Sequence, residues 1–235
     1  MRVLCIDTSG VTAGVALAEP HKIIYEAESN NGLTHSQSIM PMVDAALRAG
    51  GITAQDVDLF AAVVGPGSFT GVRIGVSTVK ALAHATGKPC IGVDALEALA
   101  AGAGGFDGVI CPILDARAQQ VYGAVFAPGF PPARLMPDCA MKLTEYLDAV
   151  EAMSGRALFI GDGANAFAPV LKERMGDGAC FAPVHLSSLR AGSAAALAMH
   201  YAPQAGDYLS LSPLYLRAPQ AERERAAREA QKQHE

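Results

Sequence analysis

The sequence predicts an α/β protein made of two units, and three features carry that prediction. Short apolar runs follow one another at the N-terminus with turn residues between the first two, strand and helix patterns then alternate, and a glycine-rich break at Ala101-Gly102-Ala103-Gly104-Gly105 precedes a second series of both. At 235 residues, with 51% apolar and 17% charged side chains, the chain can bury one large core or two small ones.

Val3 to Ile6, Gly14 to Ala18 and Ile23 to Ala27 are the first strands. Asp7-Thr8-Ser9-Gly10 turns the chain after the first, so an antiparallel meander is expected. A helix follows from about Ser36 to Ala49, because Ile39, Met42, Val43, Ala46 and Leu47 recur at helical spacing and Gly50-Gly51 ends the pattern. Pro41 falls in its first or second turn and leaves its start open. Val57 to Val64, Thr70 to Ala85 and Cys90 to Val93 then read as a β-α-β unit, with Gly87 stopping the helix. Asp94 is placed to cap a helix through Ala101, with Glu97 completing a capping box.

Beyond the break, Val109 to Leu114 and Val121 to Phe126 read as strands, Leu143 to Met153 as a helix, Ala157 to Ile160 as a strand and Ala164 to Met175 as a helix. That makes a second, smaller α/β unit. Ser188 to Tyr201 is alanine-rich and helical, and Pro213 to Arg217 is extended. Gln220 to Glu235 has no apolar face and is expected to fray or form a solvated helix.

Composition narrows the function. A net charge of −5 opposes a polyanion as the principal partner, so any nucleic acid is expected to be held mainly by another chain. The five cysteines are widely separated with no Cys-x-x-Cys, which points to neither a disulfide framework nor a zinc site. No apolar run is long enough to span a bilayer and no secretory signal opens the chain, so the cytoplasm is the expected address. No two histidines stand at i, i+4 on a predicted helix, and Ser9, Ser36 and Ser68 lie in no Gly-x-Ser-x-Gly elbow.

The most distinctive run is Val-Val-Gly-Pro-Gly-Ser-Phe-Thr-Gly-Val-Arg-Ile-Gly from Val63 to Gly75, which ends a strand in a glycine-rich turn and opens a helix. Such a turn aims backbone N–H groups at an anion. Gly65 and Gly67 in it, with Asp7, Thr8 and Ser9 at the end of the first strand and Asp162 in the Gly161-Asp162-Gly163 turn, form a possible nucleotide cleft. Ordinary turn and capping roles explain the same residues equally well. There is no Gly-x-x-x-x-Gly-Lys-Ser/Thr loop, which weighs against autonomous ATP hydrolysis. His35 could line a cleft or serve as a cap. Arg73, on the helix after the turn, and Arg117, beyond Asp115-Ala116, could meet across a cleft or be solvated. Gly71 and Gly75, beside Val72, Val76 and Val79, offer a flat helical surface that could join Ile39, Met42 and Val43 in a seam with a second chain. Burial against their own sheet is the alternative.

Taken together, the Val3 to Ser9 start, Thr34-His35-Ser36-Gln37, the glycine-rich run through Gly75, Lys80-Ala81-Leu82-Ala83, Asp115-Ala116-Arg117 and Tyr215-Leu216-Arg217 resemble the bacterial TsaB (YeaZ) family over nearly the whole chain. The resemblance implies an actin/hexokinase-like (ASKHA) α/β fold of two RNase H-like lobes with mixed sheets. It implies an N-terminal lobe over residues 1–102, a C-terminal lobe over 106–187, a segment at 188–217 packing back on the lobes, and a polar tail at 218–235 that fits no part of the family pattern. It further implies a part in making the threonylcarbamoyl modification of the adenosine next to the anticodon in tRNAs that read codons beginning with A.

In that pathway TsaD transfers the threonylcarbamoyl group and the ATPase TsaE supports turnover, while TsaB is the non-catalytic paralogue that pairs with TsaD. The His-x-x-x-His metal motif of the catalytic paralogues falls on Ala95 and Leu99, neither of which can bind a metal. The expectation is therefore a scaffolding subunit without catalytic residues, metal or required cofactor, with ADP or ATP possible at a complex interface. Homodimers are expected when the chain is alone, with Ile39, Met42, Val43, Val72, Val76 and Val79 as the interface, no membrane, and tRNA contacted mainly through the complex. The competing expectation is an enzyme in its own right, a sugar-kinase-like ATPase using Asp7 and Asp162, or a peptidase.

Overall fold

The computed structural model describes residues 1–217, and the expected polar tail lies outside the described residues. The first lobe runs β1 (Val3–Asp7), β2 (Ala13–Glu19), β3 (Lys22–Ser29), α1 (His35–Gly50), β4 (Leu59–Gly65), α2 (Phe69–Thr86), β5 (Cys90–Asp94) and α3 (Ala95–Gly102). Its sheet has the order β3-β2-β1-β4-β5, with β1, β2 and β3 antiparallel and β4 and β5 parallel to β1. The second lobe runs β6 (Val109–Asp115), β7 (Gln120–Ala127), β8 (Ala133–Lys142), α4 (Leu143–Met153), β9 (Ala157–Ile160), α5 (Asp162–Ala166), α6 (Ala168–Met175) and β10 (Ala179–Phe181). Helix α7 (Ala191–His200) follows.

The second sheet has the order β10-β9-β6-β7-β8, with β6 antiparallel to β7 and parallel to β9. Written from its other edge, this is the topology of the first sheet, so the chain repeats one RNase H-like pattern twice. The second unit is the shorter of the two, as the sequence suggested, yet its sheet has as many strands as the first, because β8 and β10, not seen in the sequence, complete it. The apolar pattern of β8 is broken by Arg134, Pro137 and Asp138, which an edge strand tolerates, and β10 is only three residues long. The single helix expected from Ala164 to Met175 is instead two, broken at Phe167, because Pro169 at the start of α6 has no N–H to continue the earlier ladder.

Helices α1 and α2 cover the outer face of the first sheet, and α4 and α6 cover that of the second. Helices α3 and α7 lie between the sheets in a core that draws side chains from both, including Val3, Ala16, Val93, Leu96, Ile110, Phe126 and Leu197. Helix α7 is alanine-rich because it is tightly confined: Ala191, Ala194, Ala195 and Ala198 are buried, and a Cβ on Gly14 of β2 would stand 3.2 Å from that of Ala191. Asp94 caps α3 by accepting the Glu97 N–H at 2.7 Å. The capping box does not close, since Glu97 instead accepts the Tyr201 hydroxyl at 2.6 Å.

The expected partner seam needs correction. Ile39, Val43, Val72, Val76 and Val79 are core side chains of the first lobe, and Met42 is half-buried against them. Their helical spacing reports packing on their own sheet. Gly71 and Gly75 likewise face inward, where a Cβ would collide with the Thr8 carbonyl and hydroxyl.

Candidate functional site

A cleft of about 660 Å³ opens between the lobes. The first lobe supplies the β1–β2 turn (Ser9, Gly10, Val11), His35, and Pro66 to Thr70 ahead of and opening α2. The second supplies Leu114 to Arg117, Tyr122 and Asp162, and residues Leu214 to Arg217 form the remaining wall. The two-fold repeat explains the arrangement: the turns after β1 and β6, and those after β4 and β9, face one another at the C-terminal ends of their strands, where α/β sheets place ligands.

The glycine-rich turn is built mainly for close packing. A side chain on Gly67 would collide with the Ser9 carbonyl, and one on Gly71 with that of Thr8. Gly65 has φ 112° and its missing Cβ leaves room for the Leu214 carbonyl, which such an atom would meet at 2.7 Å. The Ser68 N–H is held by the Ser9 carbonyl at 2.7 Å, and the Ser68 hydroxyl accepts the Gly71 N–H at 3.2 Å as the N-cap of α2. The motif thus locks α2 onto the end of β1 and presents its outer rim, Pro66 to Thr70, to the cleft.

Asp7 is buried and turned inward, accepting the Ser9 N–H at 2.8 Å and the Ser9 hydroxyl at 2.7 Å. Burial pushes its carboxyl up to about 6, against the lowering effect of the two Ser9 bonds. Thr8 is also buried, its hydroxyl given to the Gly71 carbonyl at 2.8 Å. Of the residues expected in a nucleotide cleft, Ser9, Gly67 and Asp162 therefore line it, whereas Asp7, Thr8 and Gly65 support it from behind. Asp162 accepts the Asp115 N–H at 3.0 Å, and burial raises its carboxyl. His35 lies on the cleft with Nε2 2.8 Å from the Gly10 carbonyl.

Arg117 lines the cleft at the tip of the β6–β7 hairpin, where Arg117, Ala118 and Gln119 have φ of 63°, 50° and 56°. Arg73 does not meet it there, a correction to the sequence reading. Its guanidinium lies 3.8 Å over the Phe69 ring, and Nε donates to the Tyr215 hydroxyl at 2.8 Å. Tyr122, Tyr215 and Arg217 carry the wall with no role foreseen for them, although Tyr215-Leu216-Arg217 stood out as a motif. The wall is held along the first lobe by the Leu214 N–H to Val64 carbonyl bond at 2.7 Å, by Lys80 Nζ to the Leu211 carbonyl at 3.0 Å, and by paired backbone bonds between Cys90 and Gly206. Among the described residues no group of three or more His, Cys, Asp or Glu side chains is arranged to hold a metal.

Comparison with known proteins agrees with this architecture. The family model for TsaD, tRNA N6-adenosine threonylcarbamoyltransferase, matches residues 30–149. The chain is 33% identical over 223 residues to the tRNA threonylcarbamoyladenosine biosynthesis protein TsaB of Bacillus subtilis, covering 94% of this chain and 96% of that one. It is 38% identical over 128 residues to TsaB of Escherichia coli, 54% of this chain and 55% of that one. The solved structure of YeaZ from Pseudomonas aeruginosa superposes with a TM-score of 0.73 at 25% identity, over 92% of this chain and 99% of that one.

Proposed function

We propose, from the premise that this chain belongs to the TsaB (YeaZ) family and so acts in tRNA threonylcarbamoyladenosine biosynthesis, that it does so as a non-catalytic subunit in the cytoplasm. It pairs with a catalytic TsaD paralogue, joins the ATPase TsaE, and forms a homodimer when alone. One observation carries the reading. At the α3 positions where the resemblance puts the catalytic paralogues' two histidines, Ala95 and Leu99 are buried in the apolar core shared by the lobes. A metal there would have to displace close-packed hydrocarbon and would find no donor on those two side chains. An autonomous kinase using Asp7 is disfavoured because that carboxylate is turned away from the cleft and committed to Ser9. ADP or ATP, where it enters the reaction, belongs at the interface with the catalytic subunit.

Pairing runs through the outward faces of α1 and α2. Met40 is 47% exposed on α1, and Ser77, Ala81 and Ala85 are exposed on α2 at the spacing that lets another helix approach. Size-exclusion chromatography of the chain mixed with its catalytic paralogue tests the surface: Ala81→Lys should leave the fold intact and abolish co-elution, and unchanged co-elution refutes it.

A further inference from the structure

Among the described residues, Arg2, Arg48, Arg134, Arg156, Arg174 and Arg190 each form an ion pair with a carboxylate. The other arginines there, Arg73, Arg117 and Arg217, form none, and they gather at one place. Arg117 and Arg217 line the cleft, and Arg73 reaches its wall through Tyr215. Although the chain has 23 acidic against 18 basic side chains, these three guanidiniums have no carboxylate partner among the described residues, which leaves positive charge along the cleft and its wall. Lys80 prolongs the band along α2, two helical turns or roughly 10 Å beyond Arg73. Its ammonium is likewise without a carboxylate among the described residues and is anchored on the Leu211 carbonyl.

We propose that this band is a contact surface for an RNA backbone, taking successive phosphates along the rim of the cleft. A single phosphate group would occupy one point, whereas the band runs roughly 10 Å beyond Arg73, long enough to meet successive phosphates of a backbone. The Phe69 and Tyr215 rings, 4.8 Å apart, lie within it, and Tyr215 is 39% exposed, a face on which an unstacked base can rest. Asp115 and Asp162 also line the cleft and oppose deeper entry of a polyanion, which keeps the phosphates at the rim. Arg73 stands one turn before Ser77 on the i, i+4 row that Ala81 and Ala85 continue, so the protein-docking surface and the RNA band adjoin on α2, while Arg117 and Arg217 lie outside that helix on the cleft. That the RNA is tRNA rests on the reading of this chain as a tRNA-modification subunit.

The test is a salt titration of tRNA binding by the complex of this chain with its catalytic paralogue, with co-elution checked in parallel. Replacing Arg117 and Arg217 together by Ala should weaken binding at least tenfold at low salt and flatten the slope of log affinity against log salt by about 2, one phosphate for each arginine. Arg117→Lys with Arg217→Lys should keep the slope, and Arg156→Ala with Arg174→Ala, both on the second lobe away from the cleft, should leave both quantities unchanged. An unchanged slope in an intact complex overturns the proposal, as does a lysine pair that loses as much as the alanine pair, or a loss confined to free nucleotide. Failure of the wild-type proteins to co-elute counts against the subunit reading instead. On the unaltered protein, photo-crosslinking of 4-thiouridine-substituted tRNA should mark peptides carrying Tyr215 or Arg117, and crosslinks found solely elsewhere overturn the proposal as well.

Discussion

At Asp7 the fold holds a carboxyl where burial raises its pKa to about 6. Between the ordinary carboxylate range near 4 and that value, the folded chain binds more protons than the unfolded one, so this group lowers stability as pH rises through the interval. Asp7→Asn keeps an acceptor for Ser9 and removes the penalty. The variant should be more stable at pH 7, by about 2 kcal/mol, and show a flatter dependence between pH 4 and 6 in urea titrations; equal stability at pH 7 would contradict the account of this turn. Gly71 marks the other side of the same contact. Gly71→Ala forces a methyl group into the Thr8 carbonyl, an overpacking that costs about 1–3 kcal/mol and should lower the melting temperature by roughly 2–10 °C. In the sequence Asp7 was legible as part of a turn and Gly71 as a helical position allowing close approach. Asp7's partner Ser9 is local, but the contact that fixes Gly71 was not legible, because it lies across more than sixty positions of chain, as in the Thr8 to Gly71 hydrogen bond.

The elements most easily seen in the sequence are those with a strong apolar period. Helix α2, stopped at Gly87, and strand β4 lie within a residue or two of expectation, as does the helix opened by Leu143. The elements missed are edge strands, whose outer side makes no demand on the sequence, and the break at Phe167. The same periodicity misled where it was read as a docking face, since a stripe of Val72, Val76 and Val79 looks alike whether a sheet or a second chain covers it. A charged side chain at Val76 should therefore unfold the first lobe, at a cost of about 3–5 kcal/mol, rather than separate two folded partners. Thermal melting of Val76→Lys beside Ala81→Lys distinguishes the two, with the large drop expected only in the former. For the segment along the cleft wall, Tyr215→Ala removes the Phe69 contact and the Arg73 hydrogen bond. Hydrogen exchange at the Leu214 amide should accelerate at least tenfold while that of β4 holds.

At the scale of the molecule, two copies of one sheet topology share an inner core through α3 and α7. Leu96 and Leu197 are buried among side chains of both sheets, so unfolding one lobe strips apolar cover from the other, and calorimetry should record a single heat-absorption peak. That shared core also occupies the α3 positions that the resemblance assigns to a metal in the catalytic paralogues, which ties architecture to the division of labour argued above. The central claim is that this chain contributes assembly and RNA contact while a paralogue performs the transfer. Mass spectrometry of threonylcarbamoyladenosine formed on unmodified tRNA, with donor, metal and TsaE supplied, decides it most directly. The account predicts product only when this chain and the catalytic paralogue are both present; modification by this chain alone, or by the paralogue at full rate without it, would contradict it.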